Sequence, residues 1–425
     1  MNEQYTQEMV QFRRTIHKRP EEGWTEFETM NIVVKRLREL GFEVVMGTKA
    51  VNTDFVMGRD PELVQKAMQR AKEHGVSEEF LAETEGYTGC VAIWNTGRPG
   101  PVTMFRHDMD CVLVQETDDP KHEANEGHYC SERAGLMHAC GHDAHTSVGL
   151  GVAHWIVDHK DELCGTIKLL FQPAEEGTRG GLPMSESGLL DDVNYLICCH
   201  IGSGIRLGEI GLCRKGFLAT TKIDISFTGK AAHAGANPEK GRSALLAACS
   251  TATMLAGIPR NSQGDTRISI GRLVAGEGRN VVPVHAKMQI EVRGQTEEVN
   301  QFMTEYAERI VKGNAEAYDV QYHFEKVGAA TTLETTPEVM QTLEEIAHGI
   351  PFITKVYPDV KISGSEDCTW LVRKVLSHGG KTGFFLFGCN EHGHHKGDFE
   401  IQDSQSMPEA FEMFTRFLEK TNKAA

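Results

Sequence analysis

Apolar and polar positions follow two different regimes along the chain. Over the first 170 or so residues, helical periods alternate with short apolar runs. In "TEFETMNIVVKRLREL" (25–40) the apolar residues recur with a helical period, Thr25 and Glu28 have capping-box spacing, and Gly41 follows as a stop. The runs "GCVAIW" (89–94), "PVTMF" (101–105), "TIKLLF" (166–171) and "VNYLICC" (193–199) have the length and composition of buried strands. Residues 143–159 suit a helix between two of them. This alternation predicts an α/β fold, a central sheet with helices on its faces. Residues 57–86 are charged and helix-like, and their pattern indicates no role.

From about residue 218 the regime changes. "KIDISFTG" (222–229) reads as a half-buried strand, and 241–257 is an Ala-rich helix. "RISIGRLV" (267–274) is a second strand, and "HAKMQIEVR" (285–293) alternates apolar and polar residues with a period of two. A helix at 296–313 and a strand at "VQYHFEKV" (320–327) follow. The order β-α-β-β-α-β is that of a ferredoxin-like α+β unit, here inserted into the first fold. "FITKVY" (352–357), a helix at 367–377, "GFFLFG" (383–388) and a last helix return to the α/β pattern. The expected division is therefore 1–217 with 331–425, interrupted by 218–330.

Composition narrows the function. A chain of 425 residues has room for two domains, and its net charge of −16 argues against nucleic acid or an anionic membrane surface as partner. No run is long and apolar enough for a membrane span. The first twenty residues, with Arg13, Arg14, Lys18 and Arg19, lack the apolar core of a signal peptide. The eleven cysteines are odd in number and scattered, with Cys198 and Cys199 adjacent. That is no disulfide framework, and the expectation is a cytoplasmic protein with reduced, mostly buried thiols.

Candidate chemistry gathers where predicted strands end, the usual place for sites in open α/β sheets. "RHDMDC" (106–111), "MHACGHD" (137–143), "FQPAEEG" (171–177), "CCH" (198–200) and "HGHH" (392–395) are five such clusters. Cys140 and His142 lie two residues apart in a glycine-containing loop, so both side chains can turn to one point. Thiolate, imidazole and carboxylate together suit zinc, and added oxygen ligands admit manganese. The adjacent Glu175 and Glu176 cannot point the same way on leaving a strand. One can bind a metal while the other faces a water, the division of labour of metal-assisted hydrolysis. A phosphate-binding GxxxxGK[ST] loop, a convincing GxGxxG after a strand and a GxSxG elbow are all absent.

Motifs along the whole chain, among them "RRTIHKRPEEGWTEFET", "RHDMDC", "MHACGHDAHTSVGLG", "LLFQPAEEGTRGG", "GKAAHAGANPEKG", "GRNVVP", "GSED" and "GHHKGDFE", are similar to the zinc carboxypeptidase/aminoacylase superfamily, in its amidohydrolase branch. Within that branch, "AVNTDFVMG" (50–58), "NTGRPGPV", "HIGSG" and "LATTK" resemble the group of hydrolase subunits acting on aminobenzoyl-glutamate. The resemblance implies a zinc-carboxypeptidase-like fold with a central mixed sheet, and a role for the inserted domain as lid and dimerisation surface.

It also implies two divalent metal ions per chain, zinc or manganese, held by Cys140, His142, Glu176, His200 and His395, with the Cys140 thiolate bridging. His395 is preferred to His394 on its spacing to Phe399. Glu175 would be the general base, taking a proton from a bridging water and passing it to the leaving amine. Asp110 would orient an imidazole, with Asp108 a possible helper. His233, reaching a neighbouring chain's site, would hydrogen-bond the oxyanion. Asn280 and Arg293 would hold the substrate carboxylate beside a backbone anion site at Gly364 and Ser365.

The implied substrates are small N-acyl amino acids: aroyl-glutamates such as p-aminobenzoyl-glutamate, or else indole-acetyl-, hippurate- or acetyl-amino acids. The chain would work as a homodimer or with a homologous partner chain. His138, Asp143 and His145 are left as support or helix-start residues, with Asp143 suited to an N-cap. Two positions depart from the family pattern. His107 stands in place of the usual Ala, and Cys111-Val112-Leu113 in place of Ala-Leu-Pro. By strand alternation His107 points away from Arg106 and Asp108, as a non-ligand.

Overall fold

The computed structural model describes residues 3–362, 364–390 and 392–424. The chain forms two compact units. One contains the residues up to Gly216, Leu333–Ile362, and the chain from Asp367 onward; the other is Phe217–Thr332 with residues 364–366.

The first unit is built on an eight-stranded mixed sheet. Across it the strands run Glu43–Met46, Cys90–Asn95, Thr166–Gln172, Val102–Asp108, Tyr195–Ile201, Lys381–Phe387, Glu209–Leu212 and Lys355–Tyr357. The four central strands from Thr166–Gln172 to Lys381–Phe387 are mutually parallel. Their continuous apolar sequence reflects burial on both faces. Register places Asp108 opposite Gln172 and His200 opposite Leu386, so the carboxyl ends of all four strands meet along one side.

Helices His142–Asp158 and Asp403–Thr421 cover the face presented by Phe105, His107 and Phe385. Phe414 packs on Phe105 at 4.5 Å between ring centroids and on Phe385 at 5.3 Å. His107 lies in this layer, against Phe171 and Phe414, away from Arg106 and Asp108. Room for its ring comes from Gly149, where an added Cβ would stand 2.7 Å from His107.

Helix entry differs from the sequence expectation at two places. The first helix after the amino-terminal one is Phe27–Glu39, and it has no capping box. The Thr25 hydroxyl donates instead to the Glu22 carbonyl, while the buried Glu21 carboxylate accepts the N–H groups of Glu28 (3.2 Å) and Thr29 (2.8 Å). A carboxylate from outside the helix thus does the capping. Asp143 is not an N-cap either. The helix begins at His142 with Gly141 in the cap position at φ +83°, and Asp143 Oδ2 is used by Arg13 (3.1 Å) and His17 (2.7 Å). Residues 57–86 contain two helices, Pro61–Glu73 and Glu78–Glu83, capped by the Asp60 and Ser77 side chains.

The second unit is a four-stranded antiparallel sheet, ordered Gln321–Ala330, Ala219–Thr228, His285–Gly294, Thr266–Ala275. Helices Ala244–Ala256 and Glu297–Ala317 complete the β-α-β-β-α-β sequence. The period of two is realised directly. Ile223, Ile225 and Phe227 join Met288, Ile290 and Val292 in one core with Ala247, Leu255, Met303 and Val311 from the helices. Among the described residues, no helix is long and apolar enough to cross a membrane.

Candidate metal centre

The central strands of the first unit deliver Asp108, Gln172 and His200 to one side of the sheet. Three loops add Asp110, Cys140 and the pair Glu175–Glu176. The ligand atoms of Cys140, His142 and His200 lie within 4.8 Å of one another, and so do those of Cys140, Glu176 and His395. Cys140 is common to both triads. His142, Glu175 and Glu176 form a third such group.

Each imidazole is oriented by a bond on its far nitrogen or its backbone. His142 Nδ1 faces Asp110 Oδ1 at 3.2 Å, while its buried Nε2 makes no hydrogen bond among the described residues. A buried ring nitrogen left in this way, beside a thiol and carboxylates, fits the donor a metal ion would take. His200 Nδ1 donates to the Ile201 carbonyl at 2.7 Å, so Nε2 is the atom turned to Cys140 Sγ, 3.5 Å away. His395 Nε2 is 3.1 Å from Glu176 Oε1, and its backbone N–H donates to the Ala139 carbonyl, beside Cys140. His394 is elsewhere: its Nε2 lies 3.2 Å from the Ile201 carbonyl and its ring stacks on Phe399.

Asp110 does more than orient a ring. Its two oxygens accept the backbone N–H groups of Glu175 (3.1 Å) and Glu176 (2.9 Å), fixing the loop that carries both. The N–H of Ala174, a residue at φ +51°, goes to Glu26 Oε1 at 2.7 Å. Burial first, and then the nearby Asp110 charge, push the Glu26 carboxyl up to about 8.

Asp108 anchors a second line of support. Its Oδ2 forms an ion pair with Arg106 at 2.6 Å, its Oδ1 accepts from His145 Nδ1 at 2.6 Å, and His145 Nε2 accepts the Ile201 N–H at 2.9 Å. That N–H fixes the His145 tautomer and ties the ring to the residue after His200. Burial opposes charge on His142, but the carboxylates of Asp108, Asp110 and Glu176 outweigh it and lift its pKa to about 10.

All seven residues expected around the metals in the first unit are brought together. The sequence reading left His145 as a support residue, the resemblance gave Asp108 only a helping part, and neither singled out Glu26. The one signal for Glu26 was its place between the apolar Trp24 and Phe27 at a helix start. His138 is buried with neither ring nitrogen hydrogen-bonded among the described residues, and burial lowers its pKa to about 3.

The remaining expected residues belong to the second unit. His233 Nδ1 accepts the N–H groups of Gly235 and Ala236, both at 3.1 Å, which leaves Nε2 as the protonated, donating nitrogen. The Ala234 N–H donates to the Asn280 carbonyl at 3.0 Å, holding those two segments side by side. Arg293 forms a two-pronged ion pair with Glu291, at 2.9 and 3.1 Å. The Gly364 carbonyl accepts from Leu218, and the Ser365 hydroxyl donates to the Leu218 carbonyl.

Comparison with known proteins adds the family. The model of Peptidase family M20/M25/M40 matches residues 104–420. The chain is 44% identical over 400 residues to a p-aminobenzoyl-glutamate hydrolase subunit homolog of Haemophilus influenzae, covering 94% of this chain and 95% of that one. It is 42% identical to an indole-3-acetyl-aspartic acid hydrolase of Enterobacter agglomerans, over 93% of this chain and 92% of that one. The crystal structure of an aminobenzoyl-glutamate utilization protein from Klebsiella pneumoniae superimposes with a TM-score of 0.82 at 37% identity, covering 98% of this chain and 96% of that one. The chain belongs to Peptidase family M20/M25/M40.

Proposed function

We propose that this chain is a metal-dependent amidohydrolase that cleaves aroyl-glutamates such as p-aminobenzoyl-glutamate into glutamate and the aromatic acid. The observation that carries the chemistry is the pair of triads sharing Cys140, with Glu175 beside them. Such a donor set fits two divalent ions, zinc or manganese, and Cys140, present in both triads, would serve either. When bound, the ions supply a Lewis acid and an acidified water. The relatives named for p-aminobenzoyl-glutamate and for indole-3-acetyl-aspartate support an N-acyl amino acid with an acidic amino-acid part.

The chain's own residues have distinct tasks in this reading. Cys140, His142, Glu176, His200 and His395 hold the ions. Glu175 receives the proton of the attacking water and returns it to the departing amine nitrogen, so the amine leaves neutral. Asp110 keeps both glutamates and His142 in place. His233 of a second chain donates Nε2–H to the tetrahedral oxygen, a donor the Gly235 and Ala236 amides select by occupying Nδ1. Asn280 and Arg293 bind the substrate carboxylate, with Arg293 exchanging Glu291 for it. Gly364 and Ser365 flank that anion. The inserted unit serves as lid and dimerisation surface, and the cytoplasm is the proposed location.

A second reading keeps the mechanism and changes the acyl group, and the 42% relative favours it. A further possibility is joint action with a homologous chain, supported by a relative whose name makes it one subunit of its hydrolase. Purified chain should be assayed alone against p-aminobenzoyl-glutamate, indole-acetyl-aspartate, hippurate and acetyl-alanine. We expect the highest kcat/KM on p-aminobenzoyl-glutamate. A preference for an indole-acetyl or acetyl substrate would replace the first reading, and activity only on adding a homologous chain would establish the partner.

A further inference from the structure

The loop at 173–180 carries Glu175 and Glu176 with no strand or helix of its own to fix them. Its three consecutive amides, at Ala174, Glu175 and Glu176, all point at carboxylates. Asp110 takes the second and third. The first goes to a residue 148 positions earlier in the chain: Glu26 Oε1 accepts the Ala174 N–H at 2.7 Å. The other oxygen is held too, since Glu26 Oε2 accepts the Thr88 hydroxyl at 2.6 Å. Both Glu26 and Thr88 are wholly buried. Thr88 is itself set by close packing: at the next residue, Gly89 (φ +103°), an added Cβ would come within 2.6 Å of Pro173, which precedes Ala174.

We propose that Glu26 is a positioning residue of the metal centre: by holding the Ala174 N–H it locks the left-handed turn from which Glu175 and Glu176 depart toward the site. The inference rests on the reading that these two glutamates act there. Two features favour this role over simple filling of a gap. Both oxygens of the Glu26 carboxyl are engaged, one on the loop amide and one on the Thr88 hydroxyl, which fixes the direction of the Ala174 N–H more closely than a space-filling side chain would. And Ala174, unlike glycine, does not favour a positive φ, so its conformation has to be imposed from outside. Asp110 and Glu26 together leave the loop no amide with which to drift between Pro173 and Glu176. The bond is the working part: one oxygen must reach Ala174 while the other is tethered through Thr88.

The test uses the full-length chain and three readouts: amide hydrogen exchange at 174–176 without metal, zinc affinity by chelator competition, and kcat and KM on p-aminobenzoyl-glutamate. For Glu26→Ala we expect faster exchange, zinc bound about tenfold more weakly and kcat lowered about tenfold with KM unchanged, the size set by one lost buried hydrogen bond. Glu26→Gln keeps an oxygen for Ala174, and Thr88 can accept from the new NH2, so it should stay within about threefold of wild type in all three. Unchanged exchange and zinc affinity in Glu26→Ala, even with lowered thermal stability, would overturn the proposal. So would Glu26→Gln as impaired as Glu26→Ala, which would make charge rather than the hydrogen bond decisive. If Glu26→Ala does not fold, Thr88→Val frees Oε2 and takes its place. An intermediate rise in exchange then supports the proposal, and none refutes it. A wild type that binds zinc but hydrolyses none of the substrates would remove the proposed function, while the exchange and zinc readouts still decide the role of Glu26.

Discussion

Glu175 and Glu176 are neighbours in sequence with different surroundings. Glu176 Oε1 stands 3.1 Å from His395, whereas Glu175 Oε2 is 4.0 Å from His142 Nε2 and is buried beside it. Removing the charge of Glu175 without its volume separates binding from turnover. Glu175→Gln should keep wild-type metal content by elemental analysis and lose roughly 10²–10⁴-fold in kcat. Normal turnover would remove Glu175 as the base. At this scale the side chains that face a cation were legible from residue type and spacing, since few residues other than Cys, His, Asp and Glu bind such ions. What the sequence hid was support through the backbone. Asp110 and Glu26 act on N–H groups, which nearly every residue carries, so no residue pattern marks their targets.

Elements were legible where periodicity is strong, and their ends were not. The strand expected at 101–105 runs Val102–Asp108, because the polar Arg106, His107 and Asp108 continue the ladder with partners of their own. His107 shows how two elements share a space. An added methyl at Gly149, on the covering helix, would meet its ring at 2.7 Å and the Phe171 ring at 2.9 Å. Gly149→Ala should cost about 1–3 kcal/mol despite the better helix propensity of alanine. Adding His107→Ala should recover part of that loss, because the two share one gap. A double-mutant cycle by urea unfolding measures the coupling, and strictly additive effects would contradict it.

A second prediction concerns the amino-terminal helix Glu3–His17. Glu116 Oε1 lies 3.0 Å from both His17 Nε2 and His122 Nε2. Burial would raise this carboxyl, but the hydrogen bonds from His122 and His17 outweigh it and hold it down at about 2, below its ordinary 4.5. A depressed carboxylate stabilises the fold fully above its unfolded value and loses that contribution as pH falls toward the folded one. Wild type should therefore exceed Glu116→Gln in urea midpoint at about pH 6, and the gap should close between about pH 4.5 and pH 2. A gap that does not change with pH would show that the ionised carboxylate is not what stabilises.

At the scale of the whole molecule, the switch from apolar runs to a period of two separated the two patterns in the sequence, and the structure forms a mixed sheet in one unit and an antiparallel sheet in the other. Strand order across the large sheet was not legible, since it depends on contacts between segments far apart in the chain. Lys381–Phe387 lies between two strands that precede it by more than 160 residues. Yet that order is what gathers the five clusters into one centre. The central claim is that this centre works with two ions, and it is tested most directly by stripping the full-length chain of metal and titrating zinc or manganese back while following p-aminobenzoate release. Activity should be absent in the stripped protein and rise to a plateau at two equivalents per chain; full hydrolysis by the stripped protein would contradict the account.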